Sequence, residues 1–366
     1  MENHKLIKAL YGYRPLGFIG EKIILAKNYE IYIANYECSN INFECKVKVS
    51  LFINLISKIR FINRIFRFGI KYSCVISENM VLLADKKNIW CLDLSTGKLS
   101  LDHSFSGSRP LSISNIKNIH GFEDGQYYGE YSKNSSKDEV NIWFRNLNGD
   151  WSIVHTFPKG CIEHIHAVIP DIDRNLVWVL TGDFGGACGI WVAEDNFLTV
   201  KPIIYGDQKF RCTWLEFLDG RIIYATDSQL VRNSLRELVI NDEPPLSIFL
   251  REINGSSIYS CRVGEHVYFS TAVEPTPLKN GPFILSIFNN KLGDGIIKSE
   301  SHLFFGKNPD YFKDIGYWKK DKFPMRLFEF GSICFPSGVN PSGYLYVYFN
   351  ALVGVDNVTK IYSYVD

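Results

Sequence analysis

The chain has 366 residues, of which 46% are hydrophobic and 22% charged, and its formal net charge is +1. This composition is that of a globular protein and excludes a disordered chain, and the near-zero charge excludes a global field that would recruit nucleic acid. Zinc-finger, RNA-binding and phosphate-loop patterns are absent from the sequence. We therefore expect no nucleic-acid partner and no cofactor.

The predicted elements, taken in chain order, are mostly short strands. The N-terminal stretch FIGEKIILAKNYEIYIANYEC contains apolar strands separated by polar turns, and from residue 70 onward a unit of strand, turn, strand and loop recurs. The turns are rich in Asp, Gly and Asn, as tight hairpins require. The units are spaced by roughly 40 to 50 residues, which is the period of a four-stranded propeller blade.

This repeat predicts an all-β fold, namely a single β-propeller domain over residues 1–366 with about seven four-stranded blades. A sandwich or a barrel is the competing all-β architecture. Neither would need the same strand, turn and strand unit to be repeated this often.

One segment departs from the strand pattern. Residues 46–70, KVKVSLFINLISKIRFINRIFRFGI, have helical periodicity. One face carries Leu51, Phe52, Leu55, Ile56, Ile59, Ile62 and Phe66, and the other carries Asn54, Ser57, Lys58, Arg60, Asn63, Arg64 and Arg67. The favoured interpretation is an amphipathic helical insertion between blades whose apolar face packs on the propeller. The alternative is a basic amphipathic helix that lies on an anionic membrane surface.

The cysteines and the N-terminus bear on the compartment. The nine cysteines are scattered and form no close Cys-x-x-Cys pair, which is typical of buried free thiols in a reducing compartment. The start of the chain, MENHKLIKALYGYRP, lacks the apolar run of a signal peptide. We expect a cytoplasmic protein, membrane-associated if residues 46–70 contact the cytoplasmic membrane.

Polar residues occur at equivalent positions of successive blades. In a blade, the first strand starts at the end of the propeller where the antiparallel second strand finishes, so residues at those two positions share one end of the central channel. His164 and His166 begin a first strand, and residues two apart on a strand point the same way. The residues expected at that end are His164, His166, Asp183, Arg211, Asp227, Glu274 and Glu130.

Two alternatives apply to these residues. An Asp that follows a strand often caps a turn, and this is the competing interpretation of Asp183 and Asp227. The string EHIH adds Glu163 to the two histidines, but it lacks a clear third ligand, so we expect no metal site.

The layout of EHIHAVIPDIDRNLVWVLTGD, GDQKFRCTWLEF, IIYATDSQ and STAVEP resembles that of sialidase-type (BNR-repeat) propellers. Residues 70–366 are similar in particular to propeller proteins found among bacterial surface-polysaccharide genes. The resemblance implies a propeller fold and an activity on carbohydrate. The full Ser-x-Asp-x-Gly-x-x-Trp string and the arginine entry motif of sialidases are not present, so their catalytic set is not carried over.

We accordingly predict a carbohydrate-active enzyme of bacterial surface-glycan metabolism that acts on an acidic sugar in an oligosaccharide or a nucleotide-activated sugar. Asp183, Asp227 and Glu274 supply the acid, base or nucleophile, and His164 or His166 moves a proton near neutral pH. The predicted substrate contacts are Arg211, Arg109, Glu130, Tyr128 and Gln208, with the arginines on the acidic group. Hydrolysis, transfer and elimination all stay open. The alternative is a non-catalytic glycan-binding or scaffold propeller.

Overall fold

The strands form seven separate antiparallel sheets of four strands each, arranged as the blades of a β-propeller. The computed structural model describes residues 1, 3–105, 107–182, 185–277, 287–288 and 290–365. The predicted all-β propeller of seven four-stranded blades is confirmed.

The first four blades follow one another along the chain. Blade 1 consists of β2 (Arg14–Ile19), β3 (Lys22–Lys27), β4 (Glu30–Asn35) and β5 (Ile41–Lys46). Blade 2 consists of β6 (Tyr72–Val75), β7 (Met80–Ala84), β8 (Asn88–Asp93) and β9 (Lys98–Ser104). Blade 3 consists of β10 (Ser114–Ile116), β11 (Gly125–Gly129), β12 (Val140–Arg145) and β13 (Trp151–Phe157). Blade 4 consists of β14 (His164–Asp171), β15 (Leu176–Gly182), β16 (Gly189–Glu194) and β17 (Thr199–Tyr205).

The remaining blades bring the two ends of the chain together. Blade 5 consists of β18 (Glu216–Leu218), β19 (Arg221–Ala225), β20 (Asn233–Val239) and β21 (Leu246–Ile253). Blade 6 consists of β22 (Ser256–Val263), β23 (His266–Ala272), β24 (Glu300–Asn308) and β25 (Tyr311–Lys319). Blade 7 consists of β26 (Ser332–Cys334), β27 (Tyr344–Asn350), β28 (Val358–Tyr364) and the N-terminal β1 (His4–Tyr11).

The ring is closed by strand pairing rather than by a covalent link. β1 runs antiparallel to β28, with His4 opposite Tyr364 and Tyr11 opposite Val358. The fourth strand of blade 7 therefore comes from the opposite end of the chain to the other three. Closure of this kind leaves no blade without a neighbour on either side.

The hydrophobic core is divided among the seven interfaces between neighbouring blades. Leu16 and Ile24 of blade 1 pack with Val81 of blade 2, and Trp178 of blade 4 packs with Ile222 of blade 5. Equivalent clusters join the other neighbours, including blade 7 to blade 1. Because each blade buries both of its faces, the second strand of most blades is largely apolar, as in β7 (MVLLA) and β15 (LVWVLTG).

The insertion at residues 46–70 is helical, but it forms two short helices in place of one. These are α1 (Leu51–Ser57), capped by the Ser50 hydroxyl, and α2 (Arg60–Phe66). The break lies at Ile59, whose φ and ψ of −83° and 105° are extended. A further short helix, α3 (Met325–Phe328), follows blade 6.

The favoured interpretation of this insertion is wrong about which face packs on the propeller. The polar residues Ser57, Asn63 and Arg64 are buried, whereas Phe52 is 70% exposed and Leu55 is 67% exposed. The reason is that Arg64 and Asn63 find hydrogen-bond partners on distant parts of the chain. Among the described residues, no helix is both long enough and apolar enough to span a membrane.

Candidate functional site

The candidate site lies at one end of the central channel, which we call the upper end. There the first strand of each blade starts and the second strand finishes, as shown by the pairing of His164 with Gly182 and of Arg14 with Ala26. Arg211 and Asp227 lie just outside β18 and β19, and Glu274 follows β23, so the same end of blades 5 and 6 carries them. Asp183, which the sequence assigns to this end, lies outside the described residues.

The two histidines form one buried pair. A β-bulge at His166 separates the pairs Ile165–Thr181 and Ala167–Leu180, and the two rings lie 5.0 Å apart between centroids. His166 Nδ1–H donates to the carbonyl of Cys212 at 2.7 Å, so its Nε2 accepts from His164 Nε2–H at 3.1 Å. The His166 ring occupies the space where a Cβ on Gly182 would stand, and glycine is therefore required at that position.

Burial also fixes the charge of these histidines. Burial and, as a smaller cause, the nearby Arg211 cation together lower the pKa of His164 to about 3. The same two causes hold the pKa of His166 well below its usual value. Both shifts favour neutral imidazoles at neutral pH. The role of His164 or His166 as the group that moves a proton stays a prediction.

Blade 5 contributes a buried ion pair. Arg211 follows a 3-10 turn at Gln208–Phe210, and its backbone carbonyl accepts from the Asp227 amide at 2.8 Å. The side chains also meet, with Arg211 Nη1 3.0 Å from Asp227 Oδ2. Burial raises the pKa of Asp227 to about 7, because the nearby Glu274 charge adds to the effect of burial and Arg211 only partly opposes it.

Glu274 is the second acid of the site. Its side chain is buried, and Oε1 accepts from Gln229 Nε2 at 3.0 Å. Oε2 is buried and has no hydrogen-bond partner within the described ranges. A buried carboxylate oxygen without a partner is costly, and this oxygen is therefore the open acceptor of the site.

Tyr131 connects the acids to a group of cations. Its ring lies edge-on to His164, 4.8 Å between centroids, and Ser108 pairs with it as an isolated bridge. Burial raises the pKa of Tyr131, and the charges of Asp227, Arg211, Glu274 and Arg109 all act on it. Side chains of blades 3, 4, 5 and 6 thus share one electrostatic environment.

The cations come from two identical sequence contexts. Arg14 and Arg109 each stand in a Gly-x-Arg-Pro-Leu string, Arg14 at the start of β2 and Arg109 shortly before β10. The Arg14 guanidinium lies 4.9 Å from the centre of the Tyr348 ring, and that of Arg109 lies 5.5 Å from the centre of Tyr72. In the described part of the chain neither arginine pairs with a carboxylate, and the buried Nε of Arg109 has no hydrogen-bond partner there.

Lys71 extends this cationic group. Burial lowers its pKa to about 7; Glu329, whose Oε1 lies 3.9 Å away, opposes the shift, and Arg14 and Arg109 add to it. A cavity of about 90 Å³ opens beside Arg14 and Lys71 under α2. Arg14, Arg109 and the protonated fraction of Lys71 make this side of the upper end attractive to an anion.

Two predicted substrate contacts, Tyr128 and Glu130, lie outside the upper-end cluster. Tyr128 is a core residue, and its hydroxyl meets His103 Nε2 at 2.8 Å. Glu130 accepts from Trp143 Nε1 at 2.9 Å and from Asn141 within its own blade, as Asp85 does with Trp90 in blade 2. These two are blade contacts, and we leave them out of the candidate site.

Gln208 is closer to the site. Its Oε1 accepts from Ser228 Oγ at 2.8 Å and its Nε2 donates to Cys188 Sγ at 3.5 Å. Its backbone carbonyl accepts from the Arg211 amide at 3.2 Å. Within the described residues no group of three or more His, Cys, Asp or Glu side chains could hold a metal ion.

The sequence prediction missed Tyr131, Gln229 and Lys71. Each stands within two residues of a predicted site residue or of a strand boundary. Their positions at the starts of first strands and after the ends of second strands could therefore have placed them at the upper end. The sequence points more strongly to Arg14, because its Gly-x-Arg-Pro-Leu context repeats that of the predicted substrate contact Arg109.

Comparison with known proteins supports the fold. No family model matches the chain, and no curated protein matches it. Among solved structures, the chain is similar to the AfRom2 CNH domain at 7% identity, with 98% of each chain covered and a TM-score of 0.56. It is also similar to an oligogalacturonate lyase in complex with manganese at 8% identity, covering 99% of this chain and 93% of that one, with a TM-score of 0.53.

A second oligogalacturonate lyase, from Vibrio parahaemolyticus, is 11% identical over 98% of this chain and 93% of its own, again with a TM-score of 0.53. At such identities these likenesses show the propeller fold alone. The fold implied by the resemblance to sialidase-type propellers is confirmed. The sialidase-type repeat and the link to surface polysaccharides find no support in these comparisons.

Proposed function

We propose that the upper end of the channel binds an acidic carbohydrate and performs acid–base chemistry on it. The observation that carries this proposal is that two buried acids, Asp227 and Glu274, lie at the same end of the channel as two arginines that have no carboxylate partner among the described residues. The similarity to oligogalacturonate lyases is consistent with the proposal through the fold alone.

Arg14 and Arg109 hold the acidic group of the sugar. A guanidinium offers paired N–H donors that match a carboxylate or a sulfate, and both arginines already stack on tyrosine rings. The buried Nε of Arg109, which lacks a hydrogen-bond partner in the described ranges, gains an acceptor when an anion binds. Lys71 adds charge without a competing ion pair closer than 3.9 Å.

Asp227 and Glu274 divide the acid and base roles. The raised pKa of Asp227 keeps a fraction of it protonated near neutral pH, which suits a general acid. Glu274 Oε2, which has no hydrogen-bond partner among the described residues, accepts a proton or a hydrogen bond from a sugar hydroxyl. Arg211 positions Asp227, and the neutral histidine pair closes the site beside Tyr131.

A non-catalytic acidic-glycan receptor is the second candidate. The observation in its favour is the ion pair of Arg211 with Asp227, since a carboxylate held at 3.0 Å by a buried guanidinium is also a common structural element. In this case Arg14 and Arg109 still bind the acidic group, but no bond of the sugar changes.

The test of the proposal is binding of acidic oligosaccharides by titration calorimetry. Oligogalacturonates and sialylated oligosaccharides are compared with neutral oligosaccharides of equal length. Replacement of both arginines, Arg14→Lys and Arg109→Lys, keeps the charge but removes the planar fork. We expect acidic ligands alone to bind, and the double variant to bind them at least about tenfold more weakly.

The matched control is Arg262→Lys, because Arg262 is exposed and lies at the opposite end of blade 6. It should leave binding unchanged. Equal binding of acidic and neutral oligosaccharides, or no binding of either, would overturn the proposal.

A further inference from the structure

The helical insertion exposes the face that a packed helix normally hides. Leu51, Phe52, Leu55, Ile59, Phe61 and Phe66 are all exposed, and we call these six residues the apolar patch. In contrast, Arg64 is only 4% exposed. Soluble domains rarely expose a contiguous apolar set of this size unless it serves an interaction.

Polar contacts hold the two helices on the propeller. Arg64 Nη1 lies 2.6 Å from Asp321 Oδ2, and its Nε donates to the carbonyl of Phe328 at 2.8 Å. Arg60 Nε donates to Asp356 at 2.9 Å. Polar groups thus supply much of the attachment, and Leu51, Phe52, Leu55, Ile59 and Phe66 of the apolar patch stay exposed.

The patch continues onto the neighbouring segment of the propeller. Phe323 is exposed and its ring lies 5.8 Å from that of Phe61 between centroids. Phe61 also contacts Phe328 at 4.4 Å. The apolar surface thus spans α1, α2 and the stretch before α3.

The charges around the patch have one sign. Residues 46–70 contain six Lys and Arg and no Asp or Glu. Lys48, Lys58 and Arg67 are exposed, as is Lys322 beside Phe323. Three acids face α2: Asp321 pairs with Arg64, and Asp356 and Glu329 pair with Arg60.

We propose that the apolar patch inserts into the headgroup region of a membrane that contains anionic lipid. Aromatic and aliphatic side chains ringed by Lys and Arg, without exposed acids on the same segment, match the chemistry of that surface. This differs from the sequence-based picture of a basic helix face on lipid, because Arg60 and Arg64 face the protein and the exposed lysines take their place.

Docking in this way fixes the orientation of the propeller. The insertion joins the end of β5 to the start of β6, which is at the upper end, and Arg60 and Asn63 of α2 line the cavity beside Arg14. Membrane contact therefore turns the upper end of the channel towards the lipid. The inference does not depend on the function proposed above.

The test is flotation of the full chain with vesicles of phosphatidylcholine alone and of phosphatidylcholine mixed with phosphatidylglycerol. We expect binding to the mixed vesicles that weakens at high salt. The double variant Phe52→Ser with Leu55→Ser should bind at least about tenfold more weakly, because two large apolar side chains no longer enter the membrane. Lys48→Glu with Lys58→Glu should weaken binding to the mixed vesicles specifically.

The matched control changes two equally exposed leucines, Leu147→Ser and Leu198→Ser, in the β12–β13 and β16–β17 turns at the opposite end of the propeller. This control should float like the wild type, and a thermal melt checks that all variants fold. Absence of flotation with mixed vesicles, or unchanged flotation of the Phe52 and Leu55 double variant, would contradict membrane docking. Sedimentation velocity provides a further check, because a wild-type dimer that this variant abolishes would identify a second copy as the occupant.

Discussion

Arg211 Nη1 lies 3.0 Å from Asp227 Oδ2 at the upper end of the channel, and each side chain is 7% exposed. The two residues flank β18 and β19, and their backbones are hydrogen-bonded as well. Glu274 of the next blade adds a negative charge to this pair. The pair therefore contributes both to the stability of blade 5 and to the electrostatics of the candidate site.

Asp227→Ala should lower the free energy of unfolding much more than Asp227→Asn does. Asp227→Ala leaves Arg211 buried without this partner, and loss of one member of a buried pair costs about 3–5 kcal/mol in the free energy of unfolding. Asp227→Asn keeps the shape and part of the hydrogen bonding, so it should cost clearly less. Urea unfolding measures both.

An exposed ion pair provides the control for that experiment. Lys159 and Asp138 are 2.9 Å apart but largely exposed, and Asp138→Ala should leave the urea midpoint unchanged because solvent screens such pairs. If Asp227→Ala and Asp138→Ala lowered the free energy of unfolding equally, the buried pair would contribute no more to stability than the exposed one.

The raised pKa of Asp227 predicts a pH dependence of known sign. Between the ordinary value of 3.8 and about 7, the native side chain retains a proton that the unfolded chain has released. The contribution of this group to stability therefore falls as the pH rises through that window. The unfolding free energy of the wild type minus that of Asp227→Asn should decrease from low to neutral pH, and a constant difference would contradict the raised pKa.

His164 should show the opposite sign. Its native pKa is about 3 against 6.5 in the unfolded chain, so the unfolded chain takes up a proton first on acidification. Stability attributable to this group is lost as the pH falls below 6.5. The unfolding free energy of the wild type minus that of His164→Gln should decrease towards low pH. A difference that grows on acidification would mean that the native imidazole is charged.

In the helical insertion, loss of a charged side chain should destabilise the protein more than loss of a large apolar one, which is the reverse of the usual order. Arg64→Ala removes a buried donor to the Phe328 carbonyl and one of the two cations that pair with Asp321, the other being Lys320, and should cost about 1.5–3 kcal/mol. Leu55→Ser changes an exposed side chain and should alter the free energy of unfolding by less than about 0.5 kcal/mol. Thermal or urea unfolding distinguishes them, and the reverse order would mean that the apolar face is the packed one.

The fold could be predicted because the strand repeat is long and regular. Each blade repeats an apolar strand, a polar turn and a second apolar strand, so the count of blades follows from the period. Antiparallel polarity then assigns Arg211, Asp227 and Glu274 to one end of the channel without any knowledge of contacts.

The remaining features depend on information that is not local in the sequence. Glu130 and Tyr131 are adjacent, and neighbouring side chains on an extended chain point to opposite sides. A choice between them needs the register, which turned Glu130 towards Trp143 and Tyr131 towards His164. Likewise, Arg64 and Asp321 are 257 positions apart, so helical periodicity alone could not tell which face of α2 packs.

The most direct test of the central claim is turnover of those acidic oligosaccharides that the wild type binds, followed by chromatographic analysis of the products. The acid–base account predicts that the wild type converts such a ligand and that Glu274→Gln, with an unchanged melting temperature, loses about 10²-fold or more of the rate, as expected when acid–base help is removed. Full turnover by Glu274→Gln, or bound acidic oligosaccharides that the wild type leaves unchanged, would contradict it.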